Sequence, residues 1–149
     1  MKNWPSLLLF IVVVLGIGWA VGYVTAPSEW YANLNKPFFN PPGWLFAPVW
    51  SILYVLIAIA GWRVWNAGES TLKLLWIIQM VLNFLWSPAF FGIQMPALAL
   101  VIILVLLVTI YAFIAKAWNR DRTSALLFLP YAAWVTFATL LNGSIVVLN

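Results

Sequence analysis

The sequence predicts an all-α integral membrane protein, one bundle of five transmembrane helices over residues 1–149. Three observations predict it. Hydrophobic residues make up 66% of the chain and charged residues 7%, against roughly 45–50% and 25% in soluble domains. So few charges cannot keep a surface in water, and most of it must face lipid. Five apolar runs follow one another, each near the ~20 residues that cross a ~30 Å hydrocarbon core at about 1.5 Å per residue. The basic residues gather at alternate turns between those runs, which is topology information.

The first run, about residues 5–26, follows Lys2 and Trp4. It is too long for the ~7–15 residue apolar core of a signal peptide, so it reads as a retained helix. Gly18 and Gly22 in it form a GxxxG spacing that permits close helix approach. Residues 27–42 form a loop stiffened by Pro37, Pro41 and Pro42, carrying Trp30, Tyr31, Glu29 and Lys36. This loop is predicted to be a lid. The second helix spans about 43–65, with Pro48 in its first turns, where a missing N–H is cheap. A turn with Gly68 follows, and Ser70 or Thr71 is placed to cap the third helix. That helix covers about 72–91, with Pro88 near its end. The fourth, about 97–118, is aliphatic except for Thr109 and reads as a wall facing lipid. The fifth, about 124–148, contains Pro130, which should kink it.

With five spans, Lys2, Arg63, Lys73, Lys116, Arg120 and Arg122 share one side and Lys36 alone lies on the other. This six-to-one bias places the N-terminus in the cytoplasm and the lid and C-terminus on the opposite side. Trp4, Trp44, Trp62, Trp65, Trp76 and Trp118 fall near span ends and read as an interfacial belt.

Composition also excludes chemistry. There is no cysteine and no histidine, so disulfides, thiolate nucleophiles and the commonest metal and haem ligands are absent, and neither a metal site nor a resident cofactor is expected. No charged residue lies deep in a span, which argues against a proton-coupled pump. A net charge of +4 is too small and dispersed for a nucleic-acid partner.

The polar residues inside the spans are the informative ones. Gln79, Asn83 and Ser87 stand at i, i+4, i+8 on the third helix, beside Trp86 and Phe90. Trp134, Ala138 and Asn142 share a face of the fifth, and Trp50 and Tyr54 a face of the second. Lipid cannot satisfy amides, so the three stripes should point inward. There the amides either bond between helices or contact a ligand. By helical rise the stripes converge in the lid half of the bundle, beneath Trp30 and Tyr31. A cavity lined by flat aromatic faces and a few amides suits a large planar ligand.

Laid out in order, these residues resemble the TspO/MBR family of tryptophan-rich sensory and translocator proteins. The resemblance runs over nearly the whole chain. It rests on W-Y-x-x-L-x-K-P from Trp30, P-P-x-W from Pro41 and W-x-x-L-Y from Trp50, with N-x-x-W-S-x-x-F-F from Asn83 and L-P-Y-x-x-W-x-x-F-A-x-x-L-N from Leu129. It implies a five-helix bundle, a homodimer, and binding of porphyrins such as protoporphyrin or haem. The implied pocket is Tyr31, Trp50, Tyr54, Asn83, Phe90, Trp134, Ala138 and Asn142, and the stripes add Trp86. Some bacterial members are reported to degrade protoporphyrin in light, which would make Trp50 and Trp134 the catalytic candidates. The basic residue of the animal members' C-terminal cholesterol motif has no counterpart after Arg122. The readings to separate are a porphyrin-binding sensor or transporter, a light-dependent porphyrin-degrading enzyme, and a passive assembly protein.

Overall fold

The structure is a computed structural model that describes residues 4–149. Lys2, counted in the basic asymmetry, lies outside the described residues. Helix α1 runs Trp4–Val24 and is followed by a single short helix, α2, Glu29–Ala32. A 3₁₀ turn, Gly43–Leu45, leads into α3, Phe46–Ala67. Helix α4, Ser70–Ser87, continues through a π turn at Pro88–Gly92. Then come α5, Pro96–Ala117, α6, Arg122–Leu127, and α7, Leu129–Leu148. Five stretches have the length and apolarity of membrane spans: Trp4–Val24, Gly43–Ala67, Ser70–Gly92, Pro96–Ala117 and Arg122–Leu148. The chain is a five-helix membrane bundle. Its outer surface is apolar as lipid contact requires, with Leu9, Val12, Val81, Val108 and Leu140 all exposed.

Both interior prolines reshape their helices because each removes an N–H from the ladder. Pro130 does more than kink the last span. The chain breaks at Phe128, where α6 ends and α7 restarts with proline in its first turn. At Pro88 the helix widens instead. The Ile93 N–H reaches the Pro88 carbonyl at 2.8 Å and the Met95 N–H the Ala89 carbonyl at 2.9 Å. This π turn re-aims Phe90 and Phe91 toward the lid.

Helix α1 packs on α3, α4 on α5, and α5 on α7. Two glycines set how closely the helices meet. A Cβ on Gly18 would lie 2.7 Å from Cδ2 of Tyr54, and one on Gly61 would lie 2.5 Å from Cε2 of Trp76. Gly18 therefore accommodates the Tyr54 ring inside the bundle, so its close approach is to this chain's own α3, whereas a Cβ on Gly22 would meet nothing within 4 Å.

Three other expectations need correction. Trp76 is not a belt residue. It is 8% exposed, inserts beside Gly61 and donates its indole N–H to the Ile57 carbonyl at 2.9 Å. Helix α5 faces lipid on one side only, because Ile103, Leu106, Ile110 and Phe113 are core. The cap of α4 is Glu69, whose carboxylate accepts from the Leu72 N–H at 3.1 Å, while Ser70 is already the first helical residue.

Charges close one end of the bundle. Arg63 of α3 donates to Asp121 through Nε at 3.1 Å and Nη2 at 3.0 Å, and Ser124 Oγ donates to the same carboxylate at 2.6 Å. Arg120 pairs with Glu69 at 3.0 Å. Burial would raise the Asp121 carboxyl, but the hydrogen bonds from Arg63 and Ser124 outweigh it and hold the group below its ordinary range. A bidentate Arg–carboxylate fork of this kind is the strong form of the interaction.

Candidate functional site

At the opposite end, beneath the loop that joins α1 to α3, lies a cavity of about 690 Å³, within the roughly 300–1,000 Å³ of small-molecule sites. Tyr31, Trp50, Tyr54, Asn83, Trp86, Phe90, Trp134, Ala138 and Asn142 all line it. The helical spacings thus bring the three stripes to one space.

The loop above is tied down at several points. Trp30 meets Phe90 edge-on at 6.0 Å, and Tyr31 meets Phe91 at 5.2 Å, so α2 rests on the π turn. Lys36 Nζ sits 4.8 Å over the Tyr31 ring. Asn35 and Asn149 clasp each other: the Asn35 N–H donates to Asn149 Oδ1 at 3.0 Å, and Asn149 Nδ2 donates to the Asn35 carbonyl at 2.9 Å. Burial raises the Tyr31 phenol above its usual range against the opposing hydrogen bond to Asn40, so it stays neutral.

The amides serve first as links between helices. Tyr54 donates to Asn83 Oδ1 at 3.0 Å, and Asn83 Nδ2 donates to the Tyr131 hydroxyl at 2.7 Å. Tyr131 donates to Gln79 Oε1 at 2.7 Å, and Gln79 Nε2 ends the chain on the Trp76 carbonyl at 2.8 Å. Asn142 accepts from Trp86 Nε1 at 2.9 Å and donates to the Pro96 carbonyl at 2.9 Å, holding α7 to the turn before α5. Asn83 and Asn142 both bond between helices and line the cavity, so the two readings coexist for them, while Gln79 lies outside the cavity wall and bonds between helices alone. The exception is Trp134, whose indole N–H is the one buried side-chain donor without a partner among the described residues.

Other wall residues were not predicted. Helix α1 supplies Gly18, Trp19 and Gly22, the turn just after it Thr25, and α5 supplies Ile103 and Leu106. Trp19 Nε1 bonds to Ser51 Oγ at 2.9 Å, and Thr25 meets Ser87 hydroxyl to hydroxyl at 2.6 Å. Tyr131 is the hub of the buried chain and is fully buried. Its signal was present in the sequence: Tyr131, Trp134 and Ala138 stand at i, i+3, i+7. Among the described residues no group of three or more His, Cys, Asp or Glu side chains could hold a metal ion.

Fold and site together define a class, a small five-span membrane protein with an aromatic, amide-bearing cavity beneath an interhelical loop. The sequence model of the TspO/MBR family matches residues 10–148, and the chain belongs to that family. It is 43% identical to the tryptophan-rich protein TspO of Archaeoglobus fulgidus, over 99% of this chain and 99% of that one. It is 39% identical to protein CrtK of Rhodobacter capsulatus, over 97% and 94%. It is 38% identical to the translocator protein of Bos taurus, over 83% and 85%.

Proposed function

We propose that the cavity binds a porphyrin or a related flat tetrapyrrole, and that the protein senses or moves this ligand in the membrane. The observation that carries the reading is the convergence of nine aromatic, amide and small side chains on one space of about 690 Å³. Binding there rests on stacking against Trp50, Trp86 and Trp134 and on apolar burial, with few polar contacts. With no histidine or cysteine in the chain, haem gains no strong axial ligand, and metal-free protoporphyrin binds about as well. The test is a titration of wild type, Trp50→Ala, Asn83→Leu and Trp134→Ala with protoporphyrin and haem, read by tryptophan quenching. Weakened binding in the variants supports the reading. Wild-type affinity in all three moves the site elsewhere.

A second reading, light-dependent porphyrin degradation, is favoured by the two indoles, Trp50 and Trp134, that stand on the cavity wall. A product formed in light by wild type and lost in Trp134→Phe would select it. The proposed orientation is N-terminus in the cytoplasm and lid outside, from the Lys/Arg bias. Alkaline phosphatase active when fused at Asn149 supports it, and inactivity there reverses it. The proposed homodimer has Gly18 and Gly22 of α1 as its sequence-based candidate seam, and the contact of Gly18 with Tyr54 favours another face.

A further inference from the structure

The loop between α1 and α3 has two unlike halves. The first is polar and tied to the bundle. Asn35 clasps Asn149 at the end of α7, and Lys36 turns its ammonium back onto the Ala32 and Leu34 carbonyls at 3.3 and 3.1 Å. The second half, residues 37–46, reads PFFNPPGWLF and carries no charge. Phe38 is 99% exposed there and Trp44 74%, and neither lines the cavity. Phe38 meets its neighbour Phe39 edge-on at 5.3 Å. Large aromatics gathered on one bare segment call for a partner outside the fold.

The depth of this half can be read from α7. Asn142 donates to the Pro96 carbonyl at 2.9 Å, and Pro96 opens one span just after another closes at Gly92. Asn142 therefore marks the rim of the hydrocarbon layer at the cavity end. Phe137 stands five residues nearer the start of α7, about 7–8 Å below that rim by helical rise. Helical side chains lean toward the N-terminus, here deeper still. The Phe39 ring lies 6.1 Å from the Phe137 ring, and Phe46, where α3 begins, lies 5.9 Å from Trp134. The chain thus descends from the clasp at Asn149, above the rim, to the level of the acyl chains. Beside Phe137 the outer surface is an apolar groove between α3 and α7, walled by Val49, Ile52, Pro130 and Ala133. The loop tip is continuous with that lipid-facing surface.

The backbone suits such a place. Irregular backbone does not enter the hydrocarbon core. At its boundary, where headgroups and water still reach the chain, a segment can lie flat with its apolar side chains turned inward. Pro37, Pro41 and Pro42 have no N–H to satisfy. The N–H groups of Asn40 and Leu45 are bonded to the Pro37 and Pro42 carbonyls at 3.1 Å.

We propose that Phe38 and Phe39 form a lipid anchor, with the loop tip at the membrane boundary and the Phe38 ring among the acyl chains. The loop is then a strap held by protein at Asn35 and by lipid at Phe38. The roof of the cavity is fastened to the bilayer as well as to the bundle. This stands on the loop's own geometry and holds whatever the cavity binds.

The chain has no cysteine, so an introduced one reports a single position. Phe38→Cys, Val108→Cys and Asn66→Cys are labelled with a nitroxide in phosphatidylcholine liposomes. Val108 is exposed on the lipid face of α5 and Asn66 at the charged end. Collisions with oxygen, which concentrates among acyl chains, are compared with collisions with a neutral nickel chelate, which stays in water. A ring so exposed contributes little packing, so Phe38→Cys should fold as wild type does. Oxygen should relax the label at 38 more than nickel does, as at 108, with the order reversed at 66. Nickel dominance at 38 would place the tip in water and overturn the proposal. Exclusion of both reagents with an immobilised label would overturn it too, by showing that a second copy of the chain covers Phe38.

Discussion

Gly18 and Gly22 are four residues apart on α1 and predict opposite outcomes. At Gly18 a new Cβ would sit 2.7 Å from Cδ2 and 2.8 Å from Cζ of the Tyr54 ring. That ring has little freedom to yield. Its hydroxyl donates to Asn83 at 3.0 Å, and it lies 5.5 Å from the Trp50 ring and 6.0 Å from Phe84. Overpacking of this kind costs about 1–3 kcal/mol, while exchanging glycine for alanine in a helix returns about 0.5–1 kcal/mol. Gly18→Ala should therefore lose about 1–2 kcal/mol, a factor of about 5–30 in the folded-to-unfolded ratio. At Gly22 a Cβ meets nothing within 4 Å, so Gly22→Ala should keep the helix gain of about 0.5–1 kcal/mol. The assay is unfolding of the two variants in mixed micelles, followed by helical circular dichroism. A Gly18→Ala protein as stable as wild type would refute the packing of α1 against Tyr54.

Other parts of the bundle give separate predictions. Asn142→Leu strands the Trp86 N–H and removes the tie from Asn142 to the Pro96 carbonyl, each bonded at 2.9 Å in the native state. At about 1–3 kcal/mol for one stranded buried donor, it should destabilise more than Leu140→Ala on the lipid face in the same unfolding assay. Asp121 has its pKa lowered in the fold, so its stabilising contribution is complete above the unfolded carboxylate value of about 3.9 and is lost as the pH falls through the folded value. Asp121→Asn should lower stability at neutral pH and flatten the acid limb of a pH–stability profile below about pH 4. Glu69→Ala removes the side-chain cap of α4 and should lower stability in the same assay, with the Arg120 pair adding little because it is exposed.

The five spans were legible because length and apolarity leave a membrane chain little choice, and the three polar stripes because lipid excludes amides from the outer surface. What one helix does to another was harder to read. A tryptophan near a span end looks the same whether it meets headgroups or, like Trp76, a neighbouring Gly61. The GxxxG of α1 announces a close approach without saying to what. Tyr131 carried no amide and stood outside the stripe argument, although its i, i+3, i+7 spacing with Trp134 and Ala138 placed it on the same face. Helix α1 looked featureless because Trp19 and Thr25 find their partners, Ser51 and Ser87, 32 and 62 residues away. The proline effects were read in kind but not in degree, since whether a helix bends, widens or breaks depends on which donors lie near the freed carbonyl.

The absence of native cysteine permits the most direct test of the cavity as the ligand site. Ala138 lies on the cavity wall, and Asn66 is exposed at the charged end. Single Ala138→Cys and Asn66→Cys proteins in liposomes are labelled with a small membrane-permeant thiol reagent, with and without saturating protoporphyrin. The account predicts that porphyrin protects position 138 and leaves the labelling rate at 66 unchanged. Unchanged labelling at 138 in protein shown to be porphyrin-bound would contradict it.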